Sequence, residues 1–147
     1  IYRRICLEEP ETLKLTAGLP EFLDKLREGG VPMAIATGAG IANLRFYFET
    51  FGLSRWFPPD RVIYDDGRLP GKPDPAIYIA ACALLCVEPK DCTVFEDSLA
   101  GIESARAAGI GEIVALATSM PAEALKKMPG VARAIRDFRE FSIQSSM

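Results

Sequence analysis

Two adjacent carboxylates, Glu96 and Asp97, follow the apolar run Thr93 to Phe95 and precede Ser98. Two acids at the end of a buried strand are costly unless something cationic offsets them. A hard divalent cation does so, and magnesium commonly takes one or two carboxylates together with water and substrate phosphate. The plainer role for Asp97 is to cap the helix that follows. A lysine, Lys72, stands in Gly71-Lys72-Pro73-Asp74-Pro75. Proline stiffens the backbone from which this long cation starts, so Lys72 can hold a phosphate and a carboxylate together as a point charge. A solvated loop lysine is the simpler alternative. Thr37 and Gly38 lie in Ile35-Ala36-Thr37-Gly38-Ala39-Gly40, where an apolar run turns into small residues before a helical pattern. Such a turn presents backbone N–H groups at a helix start, where the dipole favours an anion, and the Thr37 hydroxyl adds a further hydrogen bond to a phosphate oxygen. By itself this segment also reads as an ordinary tight turn.

The chain contains no histidine. That excludes a Ser-His-Asp or Cys-His nucleophile, His-ligated zinc and imidazole acid–base catalysis. The net charge of −3 and the scattered lysines and arginines leave no basic stripe, so a nucleic-acid partner is not expected. No apolar run approaches the roughly 20 residues that span a bilayer, so no membrane role is expected either. Ile1 is followed by Tyr2-Arg3-Arg4, a short apolar stretch and then the acids Glu8-Glu9, which is not a signal-peptide pattern. Of Cys6, Cys82, Cys86 and Cys92, none forms a C-x-x-C pair. Cys82 and Cys86, one helical turn apart in an apolar segment, read as small core residues, and a reduced, cytoplasmic setting is the default.

The elements that must position these groups follow from the apolar spacing. Leu19, Phe22, Leu23 and Leu26 form a helical stripe over residues 19–27, stopped by Gly29-Gly30. Residues 31–36 read as a buried strand, and 41–51 as a helix with Leu44, Tyr47, Phe48 and Phe51 on one side and Gly52 at its end. Residues 61–64 are a brief strand before the polar turn Asp65-Asp66-Gly67. A helix over 76–86 opens on Pro73-Asp74-Pro75. A strand over 93–95, a helix over 98–108, a strand over 113–116, a helix over 122–128 and a last strand over 132–135 complete the pattern. Strands alternating with helices at this spacing predict an α/β fold, a Rossmann-like parallel sheet with helices on both faces. In such sheets ligands bind beyond the carboxyl ends of the strands, where Thr37, Lys72 and Glu96-Asp97 all fall.

In order and placement these three segments resemble the haloacid dehalogenase superfamily, in particular its β-phosphoglucomutase-like and phosphoglycolate phosphatase-like members. The likeness covers about Thr16 to Phe138 and is closest in GKPDPAIY and FEDSLAGIESARAAGI. The resemblance implies that Thr37 is the phosphate-binding residue of the second motif, with Gly38 beside it. It implies that Lys72 is the lysine of the third motif and that Glu96 and Asp97 are the acidic pair holding Mg2+. A hydrolase acting on a small phosphorylated metabolite is expected, with a β-phosphoglucomutase-type phosphomutase as the alternative.

Members of the superfamily open with a strand ending in Asp-x-Asp-Gly, whose first aspartate attacks phosphorus and whose second acts as general acid and base. Before Thr37 the only aspartate here is Asp24, within the first helical stripe. The core is therefore expected to be incomplete, lacking its central first strand and the cap. Residues 1–15 read as the tail of the cap and its linker, and residues 16–147 as the C-terminal portion of the core domain. Three explanations stand side by side: part of a longer enzyme, a non-catalytic module binding a phosphate ligand or a protein, or a core completed by a partner chain. By itself the sequence given is expected to be inactive, and homo-oligomerisation or strand swapping would cover the open edges.

Overall fold

The computed structural model describes residues 14–142. The cap tail expected over residues 1–15 lies almost wholly outside them; Leu15 itself packs against the cluster of Leu23, Trp56 and Phe57. Helix α1 spans Leu19–Glu28 and buries Phe22 and Leu23 from the stripe that defines it. Gly18, with φ +79°, begins it in a close approach: a Cβ there would lie 2.8 Å from the Arg139 amide nitrogen. Strand β1 is only Ile35–Ala36. The longer strand expected over 31–36 does not form: Pro32 has no N–H to donate, and only Ile35 and Ala36 find ladder partners. Val31 is left 45% exposed.

Helix α2, Ile41–Phe51, ends at Gly52, whose φ of 61° is left-handed. Strand β2, Val62–Ile63, pairs in parallel with β1. Helix α3, Ala76–Leu85, is started by Asp74, whose Oδ1 accepts the Ala76 N–H at 2.9 Å. It stops one residue earlier than the apolar run predicts. Cys86 adopts φ 56° as its left-handed cap and is exposed, so it is not a core residue; only Cys82 of that pair is buried. Strand β3, Thr93–Glu96, leads into helix α4, Leu99–Ala107, capped by Ser98. Strand β4, Glu112–Leu116, helix α5, Ala122–Lys126, and strand β5, Val131–Ile135, follow.

All ladders are parallel, as the α/β alternation predicts, but they form two pieces: β1–β2, and β3–β4–β5. Among the described residues no ladder joins β1 to β3. Helices nevertheless pack on both faces at the junction of the two pieces. Side chains alternate faces along a strand. On one face Ile35 packs with the Leu23–Trp56–Phe57 cluster, while Phe22, also on α1, meets Phe95 of β3 at 5.3 Å between ring centroids. On the other face Ala36 of β1, Ile63 of β2 and Val94 of β3 pack against a shared core that includes Ile77, Tyr78, Ile102 and Ala105. Helices α1 and α3 thus clamp the seam between β1 and β3 from either side. Among the described residues no helix is long and apolar enough to cross a membrane.

Candidate functional site

The carboxyl ends of β1 and β3 are joined across the seam by one side chain. Lys72 Nζ lies 2.7 Å from Glu96 Oε2 and 3.4 Å from the Ala36 carbonyl oxygen. The pair is well shielded, with side-chain exposure of 17% for Lys72 and 8% for Glu96. Tyr78, in the first turn of α3, donates its hydroxyl to the same Oε2, and the Lys72 ammonium stands 5.0 Å from the Tyr78 ring centroid. A cation over an aromatic face is attracted by the ring quadrupole.

Glu96 is held equally firmly on its other oxygen. Oε1 accepts the Asp97 N–H at 3.0 Å, the Ser98 N–H at 3.1 Å and the Ser98 hydroxyl at 3.1 Å. Ser98 Oγ in turn accepts the Gly101 N–H at 3.0 Å, closing the first turn of α4. Gly101 makes this possible: a Cβ on it would lie 2.0 Å from Glu96 Cδ. The small residues of α4 therefore do more than let the helix approach the sheet, because Gly101 opens the space the Glu96 carboxylate occupies. Burial would push the Glu96 carboxyl up, but the hydrogen bonds from Lys72 and Tyr78 outweigh it and hold it at about 2. The same burial, together with the Glu96 charge, raises the Tyr78 phenol. Asp97 sits beyond the strand end, exposed, with its carboxyl raised by partial desolvation and by neighbouring Glu96.

Thr37, Gly38 and Lys72 line one small pocket of about 80 Å³, together with Tyr64, Asp65, Leu69 and Ile77. Thr37 is fixed through its N–H to the Ile63 carbonyl at 2.9 Å, and its Oγ1 accepts the Ala39 N–H at 3.1 Å. The Asp65-Asp66-Gly67 segment is the polar turn its sequence predicts: Asp65 and Asp66 accept the N–H groups of Gly67 and Arg68. Asp65 also reaches the pocket wall. Asp24 lies elsewhere, accepting from Trp56 Nε1 and Arg55.

The structure thus brings Thr37, Gly38 and Lys72 to one pocket and ties Lys72 to Glu96, while Asp97 stands beside that pair outside the pocket lining. Tyr78, Ser98 and Ser104 were not singled out from sequence. Ser104, fully buried, donates to the Asp74 carbonyl at 2.7 Å and pins the Lys72 loop to α4. The signal for Ser98 was its place before a helix; Tyr78 and Ser104 had none beyond lying within the two closest-matching segments.

Among the described residues no group of three or more His, Cys, Asp or Glu could hold a metal ion. With five donors on its two oxygens, Glu96 anchors Lys72 and the start of α4. Asp97 remains as an exposed carboxylate at the strand end. That donor set fits magnesium as one contributed carboxylate, the minimum its commonest sites use.

Residues 2–109 match the family described as haloacid dehalogenase-like hydrolase. The chain is 33% identical over 110 residues to a phosphorylated carbohydrates phosphatase of Thermotoga maritima, covering 75% of this chain and 50% of that one. It is 35% identical over 122 residues to validoxylamine A 7'-phosphate phosphatase of Streptomyces hygroscopicus subsp. limoneus, covering 83% and 56%. The fold superposes on the crystal structure of a family IA, variant 3 hydrolase from Entamoeba histolytica with TM-score 0.86 and 34% identity, covering 88% of this chain and 58% of that one. The chain spans about half the length of the curated relatives it matches. With the family matched over most of its length and the fold shared at this identity, the chain belongs to the haloacid dehalogenase-like hydrolases.

Proposed function

We propose that this chain carries most of the phosphoryl-transfer core of a phosphatase acting on a small phosphorylated metabolite in the cytoplasm, and that its nucleophile lies on an Asp-x-Asp-Gly strand outside the sequence given. The observation that supports this best is Lys72, shielded, bonded to Glu96 and lining the same pocket as Thr37 and Gly38. A cation fixed by a buried carboxylate cannot swing into solvent, so its charge is already in place when a phosphate arrives.

Each residue then has a defined duty. Thr37 and Gly38 bind phosphate oxygens through hydroxyl and amide. Lys72 neutralises charge on the oxygens that transfer. Glu96 and Tyr78 position Lys72. Asp97 would hold Mg2+, which when bound supplies further neutralisation of the transferring phosphoryl group. The nucleophile-bearing strand would enter the seam between β1 and β3, making one sheet of the two pieces. Residues 16–147 are the core portion in this scheme, and 1–15 the end of a cap. Without that strand the chain would be inactive and would self-associate through its open edges.

The test is to produce the protein with its upstream coding segment and assay it on a panel of sugar and polyol phosphates with Mg2+. The extended protein should release phosphate, lose that activity in chelator, and lose at least about 100-fold with Lys72→Ala. An upstream segment that lacks Asp-x-Asp-Gly, or an extended protein that binds phosphate without turnover, would instead establish a non-catalytic binding module.

A further inference from the structure

The end of the sheet opposite the candidate site holds a second piece of chemistry. Helix α3 stops at Leu85, Cys86 turns left-handed, and the Val87 N–H reaches back to the Cys82 carbonyl at 3.1 Å. A short helical turn over Pro89–Asp91 then reverses the chain and delivers Cys92 to the start of β3. As a result Cys82 Sγ and Cys92 Sγ lie 3.4 Å apart, residues that sequence spacing alone does not pair.

We propose that Cys82 and Cys92 are a redox-sensitive pair that closes to an intrachain disulfide when the protein meets a peroxide or a low-molecular-weight disulfide. The two sulfurs already touch, and a bond requires them to close to about 2.0 Å. One side of that approach is a helix end followed by a turn, where small backbone shifts are tolerated best. Access is unequal: Cys82 is 5% exposed, whereas Cys92 is half-buried, its thiol also in a 3.4 Å contact with the Glu88 carbonyl. Burial and the neighbouring Cys92 also lift the Cys82 thiol to about 12, so Cys92 meets the oxidant first.

With a peroxide, Cys92 sulfur attacks one oxygen and the O–O bond breaks, giving a sulfenic acid and one water. Cys82 sulfur then attacks Cys92 sulfur, the S–O bond breaks, and the hydroxide leaves with the Cys82 proton as a second water. With a glutathione-type disulfide, Cys92 forms the mixed disulfide and releases one thiol; Cys82 then displaces the second. In both routes two thiols are oxidised and one oxidant molecule is reduced. The bond would tie the helix that carries Tyr78 to the strand that carries Glu96, at the ends remote from the site.

The experiment treats the 147-residue chain with hydrogen peroxide and, separately, with oxidised glutathione. Tryptic peptides 69–90 and 91–106, which carry Cys82 and Cys92, are mapped without reduction, because Cys86 shares the first of them. A Cys6→Ser/Cys86→Ser variant removes the other thiols. The expected result is loss of the mass of two hydrogens in that variant, both thiols silent to Ellman's reagent in denaturant, and full recovery with dithiothreitol. Cys82→Ala should instead keep a glutathione on Cys92. A stable oxygen or glutathione adduct on Cys92 with Cys82 still titratable would overturn the proposal. So would a wild-type cross-link that disappears in the Cys6→Ser/Cys86→Ser variant.

Discussion

The two pieces of the sheet are built by different means. In β3–β4–β5 the backbone does the joining: four residues of β3 pair with β4, and β4 pairs in turn with β5 around the fully buried Ile113, Val114 and Leu125. In β1–β2 each strand is two residues long, and the piece is held to its neighbour by helices packed above and below and by the Lys72–Glu96 bridge. The first piece is a core that would survive loss of any one polar contact. The second depends on side chains at the seam, and the residues placed for phosphate chemistry are those side chains. Stability and function are therefore coupled at the seam and separable elsewhere.

Breaking the bridge should show this most strongly. Lys72→Met leaves the Glu96 carboxylate buried without its cation, and removal of one partner of a shielded pair costs about 3 kcal/mol. Urea unfolding should register that loss, and Lys72→Met/Glu96→Gln should recover much of it because no charge is stranded. A loss below about 0.5 kcal/mol for Lys72→Met, the size of an exposed pair, would mean that the helices alone hold the halves together.

Gly101→Ala ranks next and has an unusual sign. Alanine in a helix interior normally stabilises by about 1 kcal/mol relative to glycine. Here the new methyl carbon would fall 2.0 Å from Glu96 Cδ, so Glu96 or α4 must move, and a net loss of about 2 kcal/mol is expected. A stabilised Gly101→Ala protein would show that the Glu96 carboxylate does not occupy that space.

Acid titration sharpens the same contrast. The Glu96 carboxyl is held at about 2, below its unfolded value of 4.5. Its contribution is thus fully present above the unfolded value and is lost as pH falls from about 4.5 towards 2. Asp97, whose carboxyl is raised, acts with the opposite sign and favours the fold on its protonated side. Stability of the wild type should fall more steeply over that acid window than stability of Glu96→Gln, in parallel denaturant titrations.

The difference between the two pieces also explains what the sequence could convey. Helices α1 and α2 were legible nearly to the residue because apolar spacing and a following glycine are local signals. The order of strands and helices, and hence the parallel pairing, was legible for the same reason. Residues 31–36 were not, since an apolar run becomes a strand only where a ladder partner exists, and just Ile35 and Ala36 have one. Adjacency of Glu96 and Asp97 says nothing about which way each side chain turns at the end of a strand. Glu96 shares the face of Val94 and turns into the α3–α4 side, whereas Asp97 leaves the strand. Cys86 was misread because helical spacing from Cys82 says nothing about where the helix ends.

The smallest expected effect tests how far the seam reaches. Ser104 is remote from the pocket lining, yet its hydroxyl donates to the Asp74 carbonyl and so fixes the loop from which Lys72 extends. Ser104→Ala keeps the small volume and leaves the Asp74 carbonyl without this donor, a cost of about 1 kcal/mol in unfolding experiments. If the loop merely needs to be folded, nothing else should change. If it must be held in register, the Lys72–Glu96 contact loosens as well. The Glu96 carboxyl should then titrate higher than in the wild type, which carbon-13 NMR of its side chain reads directly. Glu96 titrating unchanged in a destabilised Ser104→Ala protein would confine Ser104 to packing and leave Lys72 positioned by Tyr78, Glu96 and the Ala36 carbonyl.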